Sequence, residues 1–248
     1  MGFKCGIVGL PNVGKSTIFN AITNAGAESA NYPFCTIEPN VGMVNVPDYR
    51  LDKLVEAYHP RSIIPAVTQF VDIAGLVKGA SQGEGLGNQF LTHIRECEAI
   101  MEVVRCFEDE NIVHVHGSVD PLRDVEIIET ELLLKDLDSV EKRLVTETKN
   151  ARTGGASAKA RLEACENLKN AMSEGTPARK MLGTSDEMDS LISDLALLTA
   201  KPVFYCANVG EDEMLSGNAY VDKLREYAES NNSAVVVICG KIEEELST

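Results

Sequence analysis

The sequence predicts an α/β protein with a doubly wound, mostly parallel sheet and a helical coiled-coil insertion. Three observations carry this. Gly9-Leu10-Pro11-Asn12-Val13-Gly14-Lys15-Ser16-Thr17 fits the phosphate-loop pattern G-x-x-x-x-G-K-[ST] at every fixed position. Short apolar runs alternate with helical patterns on either side of it. Residues 120–199 show only the helical period. The first two define a P-loop NTPase sheet of the Ras-like G-domain kind, over 1–119 and 200–248, with a helical arm at 120–199 inserted in it.

Composition agrees and sets bounds. Of 248 residues 44% are hydrophobic and only 5% aromatic, with no Trp, which suits an aliphatic α/β core. Lys and Arg total 23 against 38 acids, a net charge of −15, so the chain as a whole is no electrostatic match for nucleic acid and any polyanion contact must be local. Seven Cys stand without C-x-x-C spacing and mostly in apolar contexts, which reads as buried free thiols in a reducing compartment. There is no apolar leader and no run of membrane-spanning length. A cytoplasmic monomer is the expectation.

The first strand is read at Lys4–Val8, followed by the phosphate loop and a helix from Ser16 to Asn24. Glycines let successive N–H groups turn inward at phosphate oxygens, at the positive end of the helix dipole. Asn12, Val13, Gly14, Lys15, Ser16 and Thr17 are therefore nucleotide-binding candidates. Lys15 neutralises the β- and γ-phosphates as a catalytic group, and the Ser16 hydroxyl is placed to ligate Mg²⁺.

Asn31–Asn40 is a Pro-interrupted loop in the position of a first switch, and Thr36 within it is expected to complete the Mg²⁺ shell. Strands at Val41–Val46 and Ala66–Val71 flank a helix at Leu51–Tyr58. The second strand delivers Asp72-Ile73-Ala74-Gly75, with Asp72 expected to hold Mg²⁺ through water and the Gly75 N–H to face the γ-phosphate. The glycine-rich stretch 76–87 reads as the second switch. Leu76 occupies the position where Ras-like enzymes carry a water-orienting Gln, and Leu cannot polarise water, so slow hydrolysis is expected.

A helix over Asn88–Cys97 and a strand over Ala99–Phe107 follow. Asp120-Pro121 opens a long helix with Val125, Ile128, Leu132, Leu133, Leu137, Val140 and Leu144 on one face, and two further helical stretches carry Leu162–Met172 and Met188–Leu198. Gly154-Gly155 marks a hairpin tip. The sheet resumes at Val203–Ala207, then a helix at Ala219–Ser230 and a strand at Ala234–Cys239. Asn208 ends a strand where such sheets present groups to a purine base.

The motifs G-L-P-N-V-G-K-S-T, N-Y-P-F-C-T-I-E-P-N, D-I-A-G-L-V-K-G-A, G-S-V-D-P-L-R-D and N-V-G-E together resemble the Obg-like ATPases of the YchF type, within the translation-factor-related P-loop GTPases. The resemblance covers essentially the whole chain. It implies an ATPase-competent G domain with a coiled-coil arm, association with ribosomes, and Phe107 and Val209 flanking the base. It also implies a C-terminal TGS domain, which this chain ends before. Ser81 stands where that family often has His in the second switch.

Two functional classes follow. One is a slow ATP hydrolase; the other is a nucleotide-gated binding module with negligible hydrolysis, with a GTP-binding switch as the variant for the other base. ATP is expected to bind better than GTP, because Val209 and Glu211 replace the Lys and Asp of N-K-x-D, while the Asn208 amide suits adenine N6 and N7. Asn12 reads either as a ligand for K⁺ or as a stabiliser of the turn. Between 142 and 161, Lys142, Arg143, Lys149, Arg152, Lys159 and Arg161 stand against Glu147 alone, a local charge of +5. Lys149, Arg152, Lys159 and Arg161 are the expected contacts to ribosomal RNA, against the plainer reading of a solvated hairpin.

Overall fold

A computed structural model of the chain describes residues 2–26, 40–73 and 93–247. Its sheet has six strands: β1 (Phe3–Val8), β2 (Val41–Asn45), β3 (Val67–Asp72), β4 (Ala99–Arg105), β5 (Val203–Asn208) and β6 (Val235–Ile238). They lie in the order β2-β3-β1-β4-β5-β6. Every neighbouring pair is parallel except β2 with β3, which puts the lone antiparallel strand at an edge. All seven residues of β4 are buried, as a central strand covered on both faces requires. The chain leaves β1 towards β3 on one side and takes up β4 on the other. The carboxyl end of β1 is thus the point where the winding reverses, the usual place for a ligand in an open sheet.

Helices α1 (Lys15–Gly26), α2 (Tyr49–Tyr58), α3 (Pro121–Thr153), α4 (Ala156–Ser173), α5 (Asp186–Leu195), α6 (Ala219–Ser230) and α7 (Gly240–Leu246) follow. α3 begins where the sequence announces it: Asp120 accepts from the Arg123 N–H and Pro121 takes the first position, where no N–H is needed. Its 33 residues span about 50 Å at 1.5 Å per residue. The first half packs Ile128 and Leu132 against the sheet core of Ile7, Val8, Ile100 and Val103. The second half joins a separate apolar cluster in which Val140 meets Cys165, Leu168 and Met172 of α4 and Met188, Leu191 and Ile192 of α5. α5 thus packs on the hairpin as a third helix, so the inserted segment is more than a two-helix coil. A third cluster joins Tyr205 and Ala207 of β5 to Val221, Leu224 and Ala228 of α6.

Two boundaries differ from the sequence expectation for physical reasons. α2 starts at Tyr49 because Asp48 caps it, accepting from the Arg50 N–H at 3.0 Å. β4 stops at Arg105, short of Phe107, because the buried Arg105 guanidinium turns the chain: it stacks on the Phe107 ring at 4.6 Å and its Nε donates to the Phe107 carbonyl at 3.1 Å. The helix expected over Asn88–Cys97 is described only at 93–96, where it is helical.

Candidate functional site

The phosphate loop joins β1 to α1 and bends through two left-handed residues, Asn12 at φ 64° and Gly14 at φ 90°. Gly14 is constrained twice, since a Cβ there would also sit 2.2 Å from the Asn208 amide nitrogen. Lys15 and Ser16 open α1, and both reach the end of β3. The Lys15 ammonium contacts Asp72 Oδ1 directly, and Ser16 Oγ lies 3.4 Å from Asp72 Oδ2. Lys15 and Asp72 keep only 10% and 15% of their side-chain surface in solvent. A hydroxyl and a carboxylate converging at the positive end of a helix are the hard oxygen donors that suit Mg²⁺, and the cation beside them suits a polyphosphate. Thr36 and Gly75, expected at the same centre, lie outside the described residues, as do Leu76 and Ser81.

Asn208 is anchored within the protein at both ends of its amide. Its amide nitrogen donates to the Val13 carbonyl at 2.9 Å and its oxygen accepts from the Gly240 N–H at 2.9 Å. The side chain therefore joins the phosphate loop to the start of α7, and each end of the amide keeps a second donor or acceptor site beyond these two bonds. Val209 is placed differently from the expectation: it is 2% exposed and packs among Val104, Cys106, Ala207 and Val221, so it presents no side-chain face to a base. Phe107 remains at the carboxyl edge of the sheet, fixed on Arg105. Glu211 pairs with Lys241 Nζ at 2.6 Å on the surface.

Sequence reading missed two groups that build this edge. Arg105 holds three carbonyls in succession, those of Phe107, Asp109 and Ile112, and so shapes the loop after β4. That loop returns to the phosphate loop, where Asn12 Nδ2 donates to the Val113 carbonyl at 3.1 Å. Its next residue, His114, is buried with Nε2 2.8 Å from Asp124 Oδ2, while Nδ1 accepts from the His116 N–H. These bonds place the proton of the neutral ring on Nε2. Asp124 belongs to the first turn of α3, so the loop is bonded at one end to the phosphate loop and at the other to the base of the long helix. A buried Arg at a strand end was the one available signal; the His–Asp pair gives none in the sequence.

At the far end of the helical segment, Lys142, Lys149, Arg152 and Lys159 are exposed and enter no ion pair among the described residues. Arg161 differs from the expectation of a free contact. It is bound to Glu147 Oε1 at 3.1 Å and to Asp194, while Arg143 donates to the same Glu147 oxygen at 2.6 Å. Burial acts to raise the Glu147 pKa, but hydrogen bonds from Arg161, Arg143 and Asn150 outweigh it and hold the carboxyl below its usual range. The network ties α3, α4 and α5 together.

A phosphate loop feeding Lys and Ser to a strand-end Asp, on a sheet of this order, defines a nucleoside-triphosphate hydrolase of the P-loop GTPase class. The sequence model of that class described as 50S ribosome-binding GTPase matches residues 4–144. The chain is 55% identical over 249 residues to the Bacillus subtilis protein named ribosome-binding ATPase YchF, and 53% identical over 247 residues to its Escherichia coli O157:H7 namesake; each match covers 100% of this chain and 68% of the relative. The structure titled Schizosaccharomyces pombe YchF GTPase superposes with a TM-score of 0.84 at 42% identity, over 99% of this chain and 68% of that one. The chain belongs to the YchF family.

Proposed function

We propose that the chain binds Mg²⁺–ATP in preference to GTP, hydrolyses it slowly to ADP and phosphate, and serves as a nucleotide-gated switch on the ribosome, with 120–199 as its reaching arm. The observation that carries the site is the convergence of Lys15, Ser16 and Asp72 beneath the phosphate loop. In this reading the N–H groups of residues 13–17 cradle the phosphates, and Lys15 leaves Asp72 to meet the β- and γ-oxygens. Ser16 and Asp72, with Thr36, would hold Mg²⁺, which supplies further charge neutralisation on those oxygens when bound. The Gly75 N–H meets the γ-phosphate and Phe107 covers the base. Leu76 offers the attacking water no amide, which keeps the basal rate low.

The relatives' names divide between ATPase and GTPase. The preference for ATP is supported by the replacement of N-K-x-D: Glu211, in the place of the guanine-reading Asp, is drawn to Lys241. Ribosome binding is named for the relatives. Here the exposed Lys149, Arg152 and Lys159 support it, since cations carried on an arm away from an acidic body can contact a phosphate backbone within a Debye length. A K⁺ ion on Asn12 belongs to the same proposal, with the amide oxygen as the ligand while Nδ2 stays on Val113. Phosphate release is the test, measured with and without ribosomes for the wild-type chain and for Lys15→Ala. The variant is expected to lose about 100-fold or more in rate; unchanged turnover would remove the site.

A further inference from the structure

A cavity of about 220 Å³ lies between α3, strands β4 and β5, and the stretch 175–179 that follows α4. No phosphate-loop residue lines it. Exposed Glu126, Thr130 and Gly175 form its mouth, and Ile100, Glu102 and Leu198 close its floor. Beside it, Glu129 is saturated: Oε1 accepts from Arg179 Nη2 at 2.5 Å and from the Tyr205 hydroxyl at 3.2 Å, and Oε2 accepts from the Tyr227 hydroxyl at 3.0 Å.

Two polar groups in the same wall are not satisfied. Glu102 is 2% exposed and lines the cavity, yet its carboxyl makes no hydrogen bond and no ion pair among the described residues. Arg179 Nε is buried and has no partner. An unsatisfied buried polar group costs about 1–3 kcal/mol, and folded proteins keep few of them. Burial, reinforced by the neighbouring Glu129, acts to raise the Glu102 pKa well above its ordinary value.

We propose that this cavity binds a small zwitterion of the free α-amino-acid class, its carboxylate on Arg179 Nε–H and its ammonium on Glu102. A lone anion would face Glu102, Glu126 and Glu129, and a lone cation would face Arg179. A zwitterion answers both unsatisfied groups at once. The volume lies below the roughly 300 Å³ at the lower end of ordinary ligand pockets, which excludes a nucleotide. Leu133, Pro177 and Val203 offer apolar wall to an aliphatic side chain. The site is separate from the nucleotide site and does not rest on the reading of it.

The test is calorimetric titration of the chain with glycine, L-alanine, L-leucine and L-glutamine, with methylammonium and acetate as single-charge probes, in two buffers of different ionisation enthalpy. At least one amino acid should saturate, and the single-charge probes should bind at least about tenfold more weakly. Glu102→Gln should weaken that binding about tenfold or more while the far-ultraviolet circular dichroism, the measure of folding, is unchanged. No saturation by any amino acid at about 10 mM, equal binding of methylammonium, or an unaffected Glu102→Gln would each overturn the proposal. Should Glu102→Gln fail to fold, co-crystallisation of the wild-type chain with the same four amino acids decides: density bridging Arg179 and Glu102 supports it, and ordered water alone contradicts it.

Discussion

The Lys15 ammonium rests against the Asp72 carboxylate, so the cation proposed for the phosphates and the acid proposed for the metal neutralise each other. Withdrawing Lys15 to a nucleotide leaves a largely buried carboxylate facing the phosphates unless a divalent cation stands between them. Removing Mg²⁺ with a chelator should therefore weaken ATP binding about tenfold or more, and Asp72→Asn should narrow that gap, as read by titration. Equal affinity with and without Mg²⁺ would contradict the arrangement.

Asn208 closes two backbone groups of different segments, the Val13 carbonyl and the Gly240 N–H. Asn208→Ala should lower stability by about 2 kcal/mol in urea denaturation, because both groups lose buried partners. Asn208→Asp should not rescue it: the carboxylate can still accept from Gly240 but is set against the Val13 carbonyl oxygen. Full stability of either variant would mean that water replaces the amide.

Glu147 gives the helical segment an acid dependence with a definite sign. Its folded pKa lies below the ordinary glutamate value, so its contribution is fully present above that ordinary value and is lost as pH falls through the lower, folded one. Hydrogen exchange over 143–161 should accelerate in that window ahead of the sheet, and Glu147→Gln should abolish the pH dependence. Exchange that rises equally across the chain would point to global acid unfolding instead.

The six described thiols, Cys5, Cys97, Cys106, Cys165, Cys206 and Cys239, are buried and unpaired. Burial pushes Cys5, Cys106 and Cys206 up to about 12, Cys5 with help from Cys97. Alkylation at pH 8 should leave all six unmodified in the native chain and reach them only on unfolding; rapid native labelling of any of the three would contradict their placement.

The phosphate loop, the strand-end Asp72 and the capped start of α3 were legible because their chemistry dictates residue type within a few positions. The strands were legible because both faces of the sheet are covered. The rest depends on partners that no spacing reveals. Nothing in the spacing shows that the Asn208 amide also holds the Val13 carbonyl, 195 residues earlier. The run of cations at the hairpin tip looks uniformly free until α5 brings Asp194 to Arg161. The resemblance puts Val209 beside the base, yet the helix after β5 covers its side chain. Glu102 sits in an apolar strand pattern and acquires meaning only beside Arg179.

The central claim, an ATP site on a guanine-class fold, is tested most directly by calorimetric titration of Mg²⁺–ATP and Mg²⁺–GTP into the chain. With no carboxylate held in place for guanine N1–H and N2–H₂, ATP should bind the more tightly. GTP binding about tenfold tighter than ATP, some 1.4 kcal/mol in its favour, would contradict the account.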